Sequence, residues 1–584
     1  MGPQARGRRL AALLGAIGPA VVLPLLAAPS SASVAPTAVA LPVASTAAGC
    51  DVAPGAHAVT YGPDGAGGRR VDVAPCLTYT FPDFPEAGII VTATATLPSG
   101  ATVPSAVMHT SAMPLHSPYS NYGNLARSTD KGAHWSFVPF HGNTTELAGQ
   151  GPRGGVDPGL FRDPRTNRVF FYSDGSQEGP GNTFVGAMDI SFTDDNGQTW
   201  VSNPGPPQQF FPTFDAAVMF GGPPATAADA AALRAAGYPD VLYLCGMGSC
   251  HKSVDGGIVF GAVTDGAGTD QAGANGALVA GPTGILFGGR SPQLNASYDD
   301  GATWTHLAKF PSGFTTACTR PSGEGSLSVD KDGTIYAGGL FHGRLALTYS
   351  RDVGKTWSAP IPLQMPGVAG TELCSFASDW GRPGRVAASY VGYGTDNATA
   401  GPHHGYLTVS DNVFDAHPSF TAAQVDPDSR PLLPYGAICT GPPPTGSNCP
   451  TPHSLTRYDY VSVTFDPNDH SPWGIFAQDM CTVPGCLATA DPNNAPGTLD
   501  QAGNYAWTNW RGAVATLRTT SSAVGTHAGA ARPGSRTGAP NAAGPTTTAP
   551  RGSLAATGLS IALPVLAFAF LAGSVLVLRT LRRR

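Results

Sequence analysis

The side chains best suited to chemistry occur in a few clusters where arginine, carboxylate and tyrosine residues stand close together in the sequence. The candidate catalytic residues are Arg320, Glu324, Glu372, Arg457, Tyr458, Asp459 and Asp157, the last of which precedes Arg162. A guanidinium group can bind a carboxylate through two parallel hydrogen bonds, so such clusters could hold a small anion. The same residues could instead form loop ion pairs or cap turns, and the sequence leaves both interpretations open.

Histidine and aspartate residues raise a second kind of chemistry, the binding of a metal ion. The residues concerned are His109, His116, His403 and His404 and, for a structural calcium ion, Asp466 and Asp469. The histidines lack the spacing that is typical of a metal site, whereas loop carboxylates are the usual ligands of calcium. No cofactor is therefore predicted, with structural calcium as the alternative.

A repeated turn motif indicates which elements must position these residues. The pattern Ser/Thr-x-Asp-x-Gly-x-x-Trp/Phe occurs five times, and a degenerate sixth copy covers Thr408 to Phe414. The aspartate and aromatic residues of the five copies are Asp130 and Trp135, Asp195 and Trp200, Asp255 and Phe260, Asp299 and Trp304, and Asp352 and Trp357. In a hairpin the aspartate can accept hydrogen bonds from turn amides, the glycine supplies a positive φ, and the aromatic ring is buried. One such hairpin in each four-stranded blade predicts a β-propeller.

The composition agrees with an all-β fold. The chain has 75 glycines, 55 prolines and only 12% charged residues, as expected for many short strands joined by turns. Runs such as Arg168–Tyr172, Gly333–Ala337 and Arg385–Tyr390 alternate like strands, and a short inserted helix is predicted near Ala225–Ala236. The repeats and the strand-rich sequence up to Arg518 predict six blades, with seven as the alternative.

The motif resembles the Asp-box, or BNR repeat, of the sialidase superfamily, and the resemblance covers residues 50–518. It implies that the motif turns lie on the outer rim, and that ligands bind at the face where the innermost strands begin. It also implies that a sialidase would need three arginines for the substrate carboxylate, a tyrosine activated by a glutamate, and an aspartate acid/base. Asp157–Pro164 resembles an innermost strand of a second blade, and Arg457–Pro467 with Trp473–Gln478 resembles a terminal blade.

The sequence departs from that family before the first repeat. A Phe/Tyr-Arg-Ile-Pro motif is expected there, but the segment Ala106–Leu125 contains no arginine. We therefore favour a propeller that binds glycans or a surface protein at its channel face, with a sialidase-like exo-glycoside hydrolase as the alternative. The net charge of −6 and the absence of a basic stripe argue against a nucleic-acid partner.

Both ends of the chain have the features of export and anchoring signals. Arg6, Arg8 and Arg9 precede an apolar run that ends near Leu26, which predicts a signal peptide. Near the other end, the residues Leu554, Thr557 and Gly558 belong to a Leu-Ala-Ala-Thr-Gly sequence that resembles a sortase sorting signal of the LAxTG form. An apolar stretch long enough to cross a bilayer and an arginine-rich tail follow it. The resemblance implies cleavage by sortase and attachment to the cell wall, with a plain membrane anchor as the alternative.

These observations predict five segments. They are a signal peptide at 1–32, a low-complexity lead at 33–49, the propeller at 50–518, an Ala/Gly/Pro/Thr-rich stalk at 519–553, and the sorting signal, transmembrane helix and Arg-rich tail at 554–584. The body of the protein would face the outside of a Gram-positive bacterium of the actinobacterial type.

Ten cysteines in an exported chain predict disulfides rather than a metal site. Their spacing suggests the pairs Cys50–Cys76, Cys245–Cys250, Cys318–Cys374, Cys439–Cys449 and Cys481–Cys486. A zinc site is the competing interpretation, but no two close pairs have the spacing of a zinc ribbon.

Overall fold

The computed structural model describes the strands and many of the turns of the propeller body. The described residues are 58–63, 65, 68–71, 73–82, 87–111, 124–138, 156–174, 177–179, 183–185, 188–202, 217–246, 249–263, 278–289, 291–316, 327–394, 402–433, 461–479 and 510–519. All of them belong to the first of two compact units, Met1–Ala523 and Val524–Arg584. The predicted signal peptide, the predicted lead at 33–49 and the sorting residues Leu554, Thr557 and Gly558 lie outside them. No helix within the described ranges is long and apolar enough to cross a membrane.

The strands follow one another in seven groups, which we call blades one to seven. An N-terminal segment first contributes β1 (Val59–Tyr61), β2 (Arg69–Arg70) and β3 (Val73–Pro82). Blade one spans β4 (Ala87–Val91), β5 (Ala95–Thr96), β6 (Thr102–Val103), β7 (Val107–Ser111), β8 (Asn124–Ser128) and β9 (Ser136–Val138). Blade two spans β10 (Val156–Arg162), β11 (Val169–Asp174), β12 (Gln177–Gly179), β13 (Thr183–Val185), β14 (Met188–Thr193) and β15 (Val201–Ser202). Blade three spans β16 (Val218–Gly222), α1 (Ala227–Ala236), β17 (Val241–Gly246), β18 (Ser249–Ser253) and β19 (Gly261–Ala262).

The remaining four blades follow the same plan. Blade four spans β20 (Leu278–Ala280), β21 (Leu286–Gly288), β22 (Gln293–Ser297) and β23 (Thr305–Lys309). Blade five spans β24 (Phe314–Thr315), β25 (Leu327–Val329), β26 (Ile335–Phe341), β27 (Arg344–Ser350) and β28 (Ile361–Pro362). Blade six spans β29 (Gly370–Ser378), β30 (Val386–Tyr393), β31 (His403–Ser410) and β32 (Phe420–Gln424). Blade seven spans β33 (Ser462–Phe465), β34 (Pro472–Asp479) and β35 (Trp510–Thr519).

Each blade is an antiparallel sheet that the chain builds from the inside outwards. Blade three has the order β16-β17-β18-β19, for example, and the hairpins β5–β6 and β12–β13 form two separate small sheets. The first strands of the blades are β4, β10, β16, β20, β25, β29 and β33. Each of them contacts the first strand of the next blade, and β33 contacts β4, so the ring is closed. The protein is therefore a seven-bladed β-propeller, the alternative that the sequence allowed.

The ring is held together by apolar contacts between neighbouring blades. Phe170 and Phe192 of blade two pack with Leu242 of blade three in one buried cluster. Every residue of Val241–Gly246 is buried, because this second strand lies in the middle of its sheet and both of its faces are covered by other blades. The predicted helix is present as α1, which is inserted between β16 and β17 and capped by the Thr226 hydroxyl group.

The ring closes through strands from the start of the chain. Strand β3 is the outermost strand of blade seven and pairs with β35 over its whole length, from Val73 opposite Thr519 to Pro82 opposite Arg511. Strand β1 pairs with β32 and extends blade six. The segment before blade one thus contributes to both of the last two blades, which ties the two ends of the propeller together.

The five repeated motifs all form the same turn, between the third and fourth strands of blades one to five. In the fifth copy, the Ser350 hydroxyl donates to Asp352 Oδ1 (2.8 Å), the Gly354 amide donates to Ser350 Oγ (2.8 Å), and the Thr356 amide donates to Asp352 Oδ1 (2.9 Å). The same three contacts recur in the other copies. Gly354 has a φ of 73°, as the turn requires.

The aromatic residue of each motif packs against the preceding blade. Trp357 of blade five donates through Nε1 to the Ala308 carbonyl group in blade four (3.1 Å), and Trp135 of blade one reaches Thr78 on β3 of blade seven. Phe260 of blade three lies in the same buried cluster as Phe170 and Phe192 of blade two. The motif therefore fastens one blade to the next, in addition to closing its own hairpin.

The turn count explains why the repeats suggested six blades. Blade six has the degenerate copy, in which Asn412 replaces the aspartate and accepts a hydrogen bond from the Ser419 amide. Blade seven has no equivalent turn, because its fourth strand, β3, comes from the start of the chain. A seven-bladed ring closed in this way contains only six such turns.

The substitution Asp352→Ala should lower the free energy of unfolding by about 1–2 kcal/mol, because three turn hydrogen-bond donors lose their acceptor. Hydrogen bonds from Thr356 lower the pKa of Asp352 to about 2, so this contribution is complete above about pH 4 and is lost as the pH falls towards 2. Urea denaturation at pH 7 measures the effect, with Asp332→Ala as the control at an exposed aspartate paired with Lys331. Equal stability of the two variants would contradict a clamping role.

Two kinds of observation bear on the predicted disulfides. Cys245 and Cys250 are joined across the β17–β18 hairpin, as predicted. Cys76 and Cys374 are also disulfide-bonded, but the cysteines predicted to pair with them lie outside the described residues. The other predicted pairs, Cys439–Cys449 and Cys481–Cys486, lie wholly outside them.

Candidate functional site

A pocket of about 470 Å³ lies where the innermost strands of blades two to six end. Its walls are the ends of β10, β16, β20, β25 and β29, so it occupies the central channel near the face that carries the motif turns. Most of the lining is apolar or small, including Phe161, Phe220 and Leu327. The polar side chains that line it are those of Arg162, Arg165, Asp240, Ser328 and Ser378, and Trp380 adds an indole ring.

The position of this pocket differs from the prediction. Ligand binding was expected where the innermost strands begin, whereas this pocket lies where they end. Several connections that follow fourth strands or join second to third strands lie outside the described residues, so the predicted face is described only in part. The pocket is a second candidate location, which the resemblance does not imply.

A repeated aspartate fixes the turns at the pocket end of the channel. The Oδ1 atoms of Asp163, Asp330, Asp379 and Asp466 each accept a hydrogen bond from the backbone amide two residues further on, at 2.7–3.0 Å. These turns join the first and second strands of blades two, five, six and seven. All four aspartates are buried. They hold the residues just before them, which include Arg162 and Ser378, in fixed positions on the channel wall.

Asp240 and Arg165 form the edge of the pocket, and the Asp163 carboxyl group lies beside Asp240. Arg165 Nη1 donates to Asp240 Oδ1 (2.5 Å), and Tyr238 Oη donates to Asp163 Oδ2 (2.5 Å). Burial and the neighbouring Asp163 carboxyl group raise the pKa of Asp240 to about 7, in spite of the attraction of Arg165. The Asp240 carboxyl group therefore holds a proton at slightly acidic pH, so the charge of the pocket edge depends on pH.

Arg162 lies deeper on the same wall. Burial lowers the pKa of its guanidinium group, whereas the negative charges of Asp163 and Asp466 partly offset this decrease. Among the described residues, its guanidinium group makes neither a hydrogen bond nor a salt bridge. The Oγ atoms of Ser328 and Ser378 are also buried without a hydrogen-bond partner in the described part of the chain. These three side chains are available to a ligand.

Of the predicted catalytic residues, only Glu372 has a described side chain. It lies near the start of β29, at the opposite end of the channel from the pocket, and its Oε2 is 3.4 Å from Nδ1 of the fully buried His403. Asp157 lies in β10, where only its backbone is described. Arg320, Glu324, Arg457, Tyr458 and Asp459 lie outside the described residues. Because only one of the seven predicted catalytic residues has a described side chain, the structure does not test whether they meet in one site.

The histidine and aspartate residues considered as metal ligands have other partners. His404 Nδ1 lies 2.8 Å from the buried Asp426, and His109 is buried beside the Trp135 ring. Asp466 and Asp469 both form ion pairs with Lys131. His116 is outside the described residues. Within the described ranges no three histidine, cysteine, aspartate or glutamate residues are grouped to hold a metal ion.

The polar residues of the pocket were not predicted from the sequence. Arg165, Asp240, Ser328, Ser378 and Trp380 were not candidates, and Arg162 was mentioned only beside Asp157. A signal was present, because Arg162-Asp163, Val329-Asp330 and Ser378-Asp379 each place an aspartate directly after an innermost strand. Aligning these strand ends would have shown which side chains meet at the channel.

Comparisons with known proteins give weak similarities. No protein-family model matches the chain, and no curated protein matches it. Among solved structures, a Hadza microbial sialidase matches with 14% identity and a TM-score of 0.32, covering 68% of this chain and 63% of the sialidase. An α-L-arabinanase from Penicillium chrysogenum matches with 14% identity and a TM-score of 0.30, covering 63% of this chain and 97% of that one. An ancestral GH74 enzyme matches with 11% identity and a TM-score of 0.33, covering 74% and 47%.

The chain thus spans less than two thirds of the length of the sialidase that it matches. The fold assignment rests on the closed ring of seven sheets.

Proposed function

We propose that the protein is an exported, surface-displayed propeller that binds a glycan in the channel pocket. The observation that supports this most is the combination of an indole ring, an arginine and two hydroxyl groups in one concave site. Sugars commonly bind through an aromatic face and a few convergent polar groups, and the volume of about 470 Å³ lies in the usual range of small-molecule sites. Display at the cell surface rests on the predicted signal peptide and sorting signal.

The pocket is also rigid enough to bind without a large ordering cost. Its walls are strand ends, and the turns beside Arg162 and Ser378 are fixed by buried aspartates. In a preorganised site, binding immobilises fewer side chains, so less conformational entropy is lost and the affinity is higher. A surface protein would be a second type of partner, if it inserted a single side chain into the channel.

The substitution Trp380→Ala should weaken glycan binding about ten-fold or more, because the ligand would lose an aromatic contact in its site. A panel of immobilised mono- and oligosaccharides would identify a ligand for the purified protein, and calorimetry would then compare the variants. Tyr298→Ala is the control, since Tyr298 is 53% exposed and does not line the pocket. Equal affinity of all three proteins, or no binding to any sugar, would contradict the proposal.

Sialidase-like hydrolysis is the second candidate function. It is favoured by Glu372, a predicted catalytic residue near the start of an innermost strand, whose Oε2 lies 3.4 Å from His403 Nδ1. Against it, the described residues that line the pocket include neither a tyrosine nor a glutamate. Release of 4-methylumbelliferone from a sialoside panel by the wild type, and its loss in Glu372→Gln, would favour hydrolysis over binding alone.

A further inference from the structure

We infer that the channel pocket contains an anion subsite centred on the guanidinium group of Arg162. The inference deepens the proposed function, because it assigns to the bound glycan a carboxylate or a similar anionic group. The anion chemistry itself depends only on the residues of the pocket. It can therefore be tested separately from sugar binding.

The unpaired state of Arg162 sets it apart from other arginines on the same face. Arg165 is paired with Asp240 at 2.5 Å, Arg168 with Asp194 at 2.7 Å, and Arg385 lies 3.6 Å from Asp379. Arg162 has no such partner among the described residues, although it lines the channel pocket. The Arg162 guanidinium group is partly removed from water and has no anion within hydrogen-bond distance among the described residues, and an anion in the pocket would supply one.

The nearby carboxylates are held away from Arg162 by other contacts. Asp163 accepts hydrogen bonds from the Arg165 amide, the Thr166 hydroxyl and the Tyr238 hydroxyl. Asp240 binds Arg165. Asp163 and Asp466 therefore give Arg162 only a general attraction, without a direct hydrogen bond, and its five donors remain available to a ligand.

Two hydroxyl groups complete the subsite. Ser328 in the middle of β25 and Ser378 at the end of β29 line the same pocket, and their buried Oγ atoms have no hydrogen-bond partner in the described residues. A buried hydroxyl without a partner is unfavourable, and an anion oxygen or a sugar hydroxyl would satisfy it. Guanidinium and hydroxyl donors together form a site for a planar carboxylate or a tetrahedral sulfate.

Calorimetry with three probes tests the inference on the intact protein. The probes are D-glucuronate, its uncharged amide D-glucuronamide, and inorganic sulfate. We expect the wild type to bind glucuronate at least about ten-fold more tightly than the amide, since a charge-assisted bidentate contact is lost in the amide. We expect sulfate to compete with glucuronate. Arg162→Gln should bind both sugars equally and should no longer bind sulfate.

Two further variants serve as controls. Arg162→Lys keeps the charge without the fork geometry, so it should retain part of the preference and shows that the wall tolerates substitution. Arg234→Gln removes an exposed arginine of α1 and should leave all three affinities unchanged. Circular dichroism and the melting temperature identify any variant that fails to fold.

The outcomes separate the two proposals. Equal binding of glucuronate and its amide by the wild type would overturn the anion subsite while leaving glycan binding intact. Binding of sulfate alone, lost in Arg162→Gln, would keep the subsite and count against a glycan. Failure of all three probes to bind, or a preference for glucuronate that survives in Arg162→Gln, would overturn the inference.

Discussion

Removing strands β1–β3 should lower the melting temperature of the propeller by about 10 °C or more. Strand β3 pairs with the whole of β35, and its residues Cys76 and Leu77 are buried in blade seven. Without it, blade seven keeps three strands and β35 becomes an exposed edge. Blade six also loses the Tyr61 side chain, whose hydroxyl donates to the Leu363 carbonyl group at 2.7 Å. With an entropy of unfolding of about 2.1 cal/mol/K per residue, a shift of this size in a propeller of more than about 430 residues corresponds to a loss of about 9 kcal/mol.

The measurement compares two shortened proteins by differential scanning calorimetry. The first begins at residue 87 and lacks β1–β3, and the control begins at residue 50 and retains them. Both lack the predicted signal peptide, so they differ only in the strands and in the predicted Cys50–Cys76 disulfide. A variant of the control with both cysteines changed to serine separates the contribution of that disulfide. If the first protein melts at the same temperature as these controls, closure of the ring by the N-terminal strands does not contribute to stability.

The fold could be predicted because the information that specifies it is local. Each motif contains all the groups of its own turn, so residues such as Ser350, Asp352 and Gly354 reveal a hairpin within eight positions. The blade count was less certain, since the closing strand β3 and its partner β35 are separated by more than four hundred residues. Pairing over that distance leaves no local pattern.

The pocket was much harder to predict because it is assembled from five blades. Arg162, Asp240, Ser328 and Trp380 belong to four different blades, and each of them looks ordinary in its own segment. Their meeting depends on the number of blades and on the register of each innermost strand. Glu372 was predicted from its chemical type alone. Its Oε2 lies 3.4 Å from His403 Nδ1, at the opposite end of the channel from the pocket.

The turns that build the pocket also connect stability with binding. Asp163 holds the turn that follows Arg162, and the same carboxyl group lies beside Asp240 at the pocket edge. A change in protonation there alters both the charge of the pocket and the free energy of unfolding. The pH dependence of stability therefore reports on the electrostatics of the proposed site.

The substitution Asp240→Asn should be more stabilising at pH 8 than at pH 4. The change that it makes in the free energy of unfolding should be about 2 kcal/mol more favourable at pH 8. Burial and Asp163 raise the pKa of Asp240 from 3.8 to about 7 in the folded protein. Between these values the folded state keeps a proton that the unfolded state has lost, so stability falls as the pH rises. The full pKa shift corresponds to a change of about 4 kcal/mol in the free energy of unfolding. Screening by solvent in the pocket reduces this change to about 2 kcal/mol. Asparagine keeps an acceptor for Arg165 and has no charge to bury.

Urea denaturation of the wild type and of Asp240→Asn between pH 4 and 8 measures this difference. The titratable and charged groups that act on Asp240 are Asp163 and Arg165, and both are retained in the variant. Asp332→Asn, at an exposed aspartate, should run parallel to the wild type over the same range. If the curves of Asp240→Asn and the wild type are also parallel, the pKa of Asp240 is the same in the folded and unfolded states, and its carboxylate is ionised above about pH 5. In that case, the affinity of the pocket for an anion should not change between pH 5 and 8, whereas a titrating Asp240 requires it to fall as the pH rises through about 7.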